Sequence, residues 1–181
     1  MSELLTPRLR LRRWRASDLD PFAAMNADLR VMEFLPTPLD RRATEAMIAR
    51  AEASFEANGF GLWAVELREG GSFGGFVGLL RPTFQAPFTP CVEIGWRLAP
   101  EIWGRGYATE GARAVLRHGF DTLAFDEILS WTAPTNVRSR RIMTKLGMTH
   151  NPRDDFDHPL LPEAHPLRRH VLYRIRRSEA R

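Results

Sequence analysis

Cys91 is the chain's only cysteine, so no disulfide can close within it, and such a composition fits a reducing compartment, here read as the cytoplasm. Lysine is almost as scarce. Lys145 stands alone among 26 basic residues, and arginine carries nearly all of the +4 net charge. No stretch approaches the roughly 20 apolar residues needed to cross a bilayer. The opening MSELLTPRLR also lacks the order of basic segment, apolar run and cleavage site that marks a secretory signal, so no membrane partner is expected. Internal repeats, low-complexity tracts and Gly/Ser linkers are missing too, which reads as one domain over 1–181. Hydrophobic content of 44% against 27% charged residues excludes a disordered chain.

What is present alternates between the two periods of regular structure. Leu9 and Leu11 alternate with arginines up to Trp14, which predicts a strand with one buried face. Ser17-Asp18 is placed to cap a helix from Leu19 to about Asp28, and Asp40 to cap another. Along that second helix Ala43, Met47, Ile48, Ala51 and Phe55 recur at helical spacing until Asn58-Gly59 ends it. Leu62 to Leu67 and Phe73 to Leu80 read as strands joined by the hairpin Glu69-Gly70-Gly71-Ser72. Cys91 to Leu98, Glu127 to Trp131 and His170 to Ile175 are further strands, and residues 151–169 read as a long loop. A helix starts near Gly106, and another opens at Asn136 and stops at Gly147. The sum is an α+β fold with a mixed sheet of about six or seven strands.

The most informative segment is Trp103-Gly104-Arg105-Gly106-Tyr107-Ala108. It follows an extended apolar run and precedes a clean helical pattern. A strand, a glycine turn and a helix start, in that order, aim main-chain N–H groups and the positive end of a helix dipole at one spot. Such a spot takes phosphate, and glycine matters because a Cβ would hold the anion off the main chain. The segment lacks both the GxxxxGK[ST] spacing and the GxGxxG fingerprint.

Taken with Asn136-Val137-Arg138-Ser139 and Lys145-Leu146-Gly147-Met148 further on, this turn resembles the GNAT acetyltransferases, whose [RQ]-x-x-G-x-[GA] turn holds the pyrophosphate of coenzyme A. Gly106 and Ala108 lie on the pattern, while Trp103 replaces the usual Arg or Gln. EIGWRLAPEIWGRGYATEG with NVRSRRIMTKLGM is similar to the branch that includes the ribosomal-protein N-terminal acetyltransferases, and TPRLRLRRW fits the family's first strand. The resemblance implies a GNAT-type, mostly antiparallel mixed sheet flanked by about four helices, forming a single acetyltransferase domain. It implies acetyl-CoA as co-substrate, no metal, and direct attack by a primary amine in a ternary complex. The acceptor would be a protein N-terminus, an amino acid or a small-molecule amine.

By the same resemblance, coenzyme A would lie against the main chain of Trp96, Arg97 and Leu98 and of Trp103, Gly104, Arg105, Gly106, Tyr107, Ala108 and Thr109. Asn136 would bond the pantetheine amide while capping its helix. Arg105 and Arg141 are placed to pair with phosphate, or simply to be solvated. Many members protonate the departing thiolate with a tyrosine seven residues after the helix-opening Asn, where this chain has Met143. In the similar branch that role goes to a serine, here Ser139, whose alternative is a bond to backbone or pantetheine. Glu93 shares a strand face with Gly95 and Arg97 and is the candidate base, its alternative being an ion pair with Arg97. Proximity with water as base is also open. Phe34 and Leu35 fall in the segment that walls the family's acceptor site.

Other features read as structural. His158, His165 and His170 near Asp154, Asp155 and Asp157 match no compact metal spacing, and their loop reads as a flap beside the acceptor groove. Trp63, Phe120 and Trp131 read as core. A non-catalytic acyl-CoA-binding module is the alternative that Met143 keeps open. RNA binding ranks last, because the arginines are not clustered with exposed aromatics, and nucleic acid is not expected as a partner. A homodimer is compatible with all of this.

Overall fold

A computed structural model describes residues 3–179. Nine strands form the sheet: β1 (Leu4–Leu5), β2 (Leu9–Arg12), β3 (Leu62–Leu67), β4 (Phe73–Leu80), β5 (Glu93–Leu98), β6 (Glu127–Thr132), β7 (Thr149–His150), β8 (Phe156–Asp157) and β9 (Arg169–Arg176). Their order is β1-β2-β3-β4-β5-β6-β9-β7, with β8 also pairing with β9. Every pairing is antiparallel except β5 with β6. The helices are α1 (Leu19–Ala27), α2 (Leu29–Met32), α3 (Arg41–Asn58), α4 (Tyr107–Arg117) and α5 (Val137–Lys145). The strands and helix beyond the sequence expectation are β1, β7, β8 and α2, each too short to carry a period. β8 lies within the stretch read from sequence as loop.

Local chemistry explains most boundaries. Asp40 accepts from the Ala43 N–H at 2.7 Å and starts α3, and Gly59, at φ 79°, ends it. Asp18 does not cap α1 with its side chain. It is buried and receives both terminal nitrogens of Arg12, at 2.7 and 2.8 Å, while Arg12 Nε bonds Glu66 at 2.7 Å. Arg12 is therefore buried beside Leu9 and Leu11, and β2 is covered on both faces rather than one. Burial alone would push the Asp18 carboxyl up, but the Arg12 hydrogen bonds and charge outweigh it and hold Asp18 below the usual range. Removing one member of such a group leaves a buried charge unpaired.

One face of the sheet carries the main core, in which Val77, Ile94 and Ile128 meet Ala112 and Val115 of α4 and Met143 of α5. On the other face Phe22 and Met25 of α1 and Ala51 of α3 pack on Leu62 and Phe76. Trp63 and Phe120 are core residues, as read from sequence. Trp131 is only partly buried, against Phe84, Phe88 and Phe156.

The sheet is not continuous at its centre. β4 and β5 are paired along their whole shared length, from Gly75↔Leu98 to Leu80↔Glu93, and β6 and β9 likewise. Between β5 and β6 the only paired residues are Glu93 and Leu129. Past that point the two parallel strands diverge and a wedge opens. Among the described residues no helix is long and apolar enough to cross a membrane.

Candidate functional site

A cavity of about 760 Å3 runs through this wedge and reaches both faces of the sheet. Strand alternation assigns its walls. The Ala99 N–H bonds Gly74 O on the β4 side, so the Trp96 and Leu98 N–H groups point the other way, into the wedge. Trp103 closes part of that open edge by donating its indole N–H to Leu98 O at 2.7 Å. The arginine or glutamine usual at this position is thus replaced by a ring that braces the strand and lies 4.5 Å beneath the Arg138 guanidinium.

At the α4 end the wall is main chain. Gly104 and Gly106 have φ of 75° and 83°, which side-chain-bearing residues rarely adopt. A Cβ on Gly104 would meet nothing within 4 Å, so the mouth of the turn is clear. The amides of Gly104, Arg105, Gly106, Tyr107, Ala108 and Thr109 make no hydrogen bond among the described residues, and no side chain caps α4. These free donors at the positive end of a helix fit the diphosphate of coenzyme A. Arg141 and Lys145 of α5 line the same end and form no ion pair among the described residues. Arg105 does not line the cavity, although its two glycine neighbours do.

Two residues that the sequence reading passed over hold this turn in place. Arg8 donates to Glu110 from both its backbone N and Nε, at 2.9 and 2.6 Å, and to Arg105 O at 2.9 Å, with its guanidinium 4.4 Å over the Tyr107 ring. Thr6 adds a 2.6 Å bond to Glu110. Burial works against the Glu110 charge, but these bonds win and keep its carboxyl below the ordinary range. The partners are 102 residues apart in sequence, and no local pattern announces them.

Asn136 sits where α5 begins. Its Oδ1 accepts from the Ser139 N–H at 3.2 Å and its Nδ2 donates to Thr132 Oγ1 at 2.9 Å, so the cap is made and the amide is fixed. Ser139 lines the cavity, and its hydroxyl makes no hydrogen bond among the described residues. Met143 is buried in the core and does not reach the cavity.

On the opposite face Glu93, Gly95 and Arg97 form the floor, as alternation along β5 requires. Glu93 forms no ion pair with Arg97. Enclosure by protein with no compensating partner pushes the Glu93 carboxyl up to about 8, the range a base working near neutrality needs. A Cβ on Gly95 would meet nothing, so the floor between Glu93 and Arg97 is open. Phe34 and Leu35, in the turn after α2, supply apolar wall. His158, His170 and Trp131 come to this end as well, with the two imidazole rings 5.1 Å apart. Burial lowers both histidine pKa values, which favours neutral rings. The segment that sequence reads as a flap does reach the cavity, through His158 and Leu160.

The profile of the acetyltransferase (GNAT) domain family matches residues 8–149. The chain belongs to the GNAT family. That family carries out acetyl transfer from acetyl-CoA. Among similar proteins is the FsC-acetyl coenzyme A-N(2)-transacetylase of Aspergillus fumigatus, 40% identical over 95 residues, or 51% of this chain. The match spans only 40% of that relative's length. A crystal structure of an acetyltransferase from Agrobacterium tumefaciens is 28% identical with a TM-score of 0.77, covering 97% of this chain and 94% of the other. RimL, the ribosomal L7/L12 alpha-N-protein acetyltransferase in complex with coenzyme A, is 12% identical with a TM-score of 0.77 over 97% and 98% of the two chains, a likeness of fold alone. In this GNAT chain the wedge, the free amides and the raised carboxyl all open onto one cavity.

Proposed function

We propose that the protein is an acetyl-CoA-dependent N-acetyltransferase acting on a primary amine in a ternary complex, the whole chain serving as one acetyltransferase domain. The observation that carries this reading is the continuity of the cavity, from the unpaired amides of residues 104–109 through the β5/β6 wedge to Glu93. Acetyl-CoA supplies an activated acyl group and a thiolate leaving group. The amides of residues 104–109 take its diphosphate, with Arg141 alongside, and Asn136 faces its pantetheine arm. The Trp96 and Leu98 N–H groups donate to the negative charge that develops on the acyl oxygen, an effect of about 3 kcal/mol for one well-aimed donor.

Glu93 accepts a proton from the amine, directly or through water. The amine nitrogen bonds to the acyl carbon as the carbon–sulfur bond breaks, and the sulfur leaves with the electron pair. Ser139, with its hydroxyl uncommitted, passes a proton to the sulfur and is reprotonated through water as Glu93 gives up the proton it took from the amine. The products are an amide and the free thiol. Placement beside the ribosomal-protein N-terminal acetyltransferases belongs to this proposal and rests on residues 93–111 and 136–148.

The test is thiol release from acetyl-CoA over a panel of peptides, amino acids and small amines. Release that saturates in both acetyl-CoA and one class of amine supports the enzyme. Saturable acetyl-CoA binding with no amine-dependent release across the panel would instead make the protein an acyl-CoA-binding module.

A further inference from the structure

Two arginines are drawn into this fold, Arg12 buried and Arg97 half-buried at the cavity floor, and they are treated in opposite ways. Arg12 has two carboxylates, Asp18 and Glu66, within 2.7 Å. Arg97 has none among the described residues. Its side-chain hydrogen bond goes from Nη1 to the neutral Oδ1 of Asn26 at 2.7 Å, and its guanidinium lies 5.4 Å from the centre of the Phe76 ring. Asn26 is fully buried, with its Nδ2 donated to the buried Thr44 at 3.1 Å. α1 and α3 therefore hold the guanidinium in position without neutralising it. Burial draws the Arg97 pKa down to about 10, so it stays charged at neutral pH with most of its donors unused. An enclosed charge without a counter-charge is costly unless a ligand supplies one.

Glu93 is the nearest acidic group along this face of β5, and near neutral pH it is largely protonated. At about 3.3 Å per strand residue, the Cα atoms of Glu93 and Arg97 are about 13 Å apart. Both side chains are long enough to lean over the vacant floor at Gly95, which leaves room for a small molecule between them. The remaining surface there is mainly apolar, from Val31, Phe34, Leu35, Leu62 and Phe76, with the His158 and His170 rings also facing this end of the cavity.

We infer that the acceptor is a small amino acid-like molecule with an apolar side group, whose free carboxylate is bound by Arg97 while its amine faces Glu93. The inference rests on the N-acetyltransferase reading and deepens it. A peptide N-terminus has an amide where this acceptor has a carboxylate, so Arg97 is a specificity-determining residue that favours the free amino acid. The bonds formed and broken are those already given.

The experiment compares L-leucine, L-methionine and L-phenylalanine with their carboxamides in amine-dependent thiol release. For at least one side chain, kcat/KM for the acid exceeds that for the carboxamide by at least about tenfold, because a half-buried guanidinium that the ligand covers and leaves unpaired penalises the neutral analogue. In Arg97→Gln that ratio collapses toward one, and Arg97→Lys restores part of it. Retained acetyl-CoA binding shows that the variants are folded. A second readout does not need turnover: with CoA present, the N-acetylated acid binds at least about tenfold tighter than the N-acetylated carboxamide, and Arg97→Gln abolishes the difference. Carboxamides or short peptides used as well as the acids, or a preference that survives Arg97→Gln, overturns the inference while leaving acetyl transfer intact. Loss of acetyl-CoA binding by the wild type would instead remove the reading beneath it. With acetyl-CoA bound but no turnover, the binding ratio decides, and a panel in which no acid outdoes its carboxamide overturns the inference.

Discussion

At the α4 end the cavity is walled by main chain, and at the Glu93 end by side chains. The first end is built on one continuous segment, residues 103–109, in which the amides of 104–109 are left free by two left-handed glycines and an uncapped helix, with Arg141 and Lys145 of α5 alongside. The second end is assembled from β5, the turn after α2, the β6 face and the segment around His158 and Leu160. Main-chain donors recognise a phosphate whatever the neighbouring side chains are, whereas side chains drawn from separate elements vary independently. The first end can thus serve a cofactor common to a family while the second is free to follow its acceptor.

The widest separation between the two ends should come from Gly106→Glu. A residue with a Cβ at φ 83° is strained, its Cβ would stand 3.5 Å from the Arg8 Nη2 that braces the turn, and a carboxylate beside the free amides would repel a diphosphate. Acetyl-CoA affinity should fall by at least about a hundredfold in calorimetry. Glu93→Gln strikes the other end. It should lower kcat/KM by about a hundredfold and remove a pH dependence. The carboxylate form is the base, so wild-type activity should climb as pH rises through about 8 and fall away below it. The same raised pKa acts on stability with the opposite sign. A carboxyl whose folded pKa is about 8 against an ordinary 4.5 adds stability at low pH that is lost as pH rises through about 8. Glu93→Gln should flatten that slope in chemical denaturation.

Legibility in the sequence follows the same division. The glycine turn, the α4 and α5 starts and the β3–β4 hairpin are local patterns, and the chain alone places them. Asp18 is a residue suited to capping α1, yet Arg12 claims its carboxylate, a contact that only the folded chain makes. Arg8 with Glu110, and Asn26 with Arg97, join residues 102 and 71 positions apart, so no window contains both partners. The same reason hides the place of Trp131, which reads as core but lines the cavity from β6, and the meeting of the His158 and His170 rings, although the loop that carries them reads as a flap beside the acceptor groove.

Smaller effects sharpen the picture. Ser139→Ala should lower kcat by about tenfold while changing KM less, as expected of a group that acts as the thiolate departs; an unchanged kcat would remove Ser139 from the mechanism. Arg8→Ala should weaken acetyl-CoA binding only about threefold, because Glu110 and Thr6 still tether α4 and the amides are loosened rather than lost. A hundredfold loss there would mean that the turn depends on its brace more than on its glycines.

The most direct test of the account is calorimetric titration with acetyl-CoA and, separately, with acetyl-pantetheine, which keeps the thioester arm but lacks the diphosphate. If residues 104–109 hold the diphosphate, acetyl-CoA binds one per chain and acetyl-pantetheine at least about a hundredfold more weakly. Equal affinity for the two would contradict it, because the free amides at the start of α4 would then have no ligand to hold.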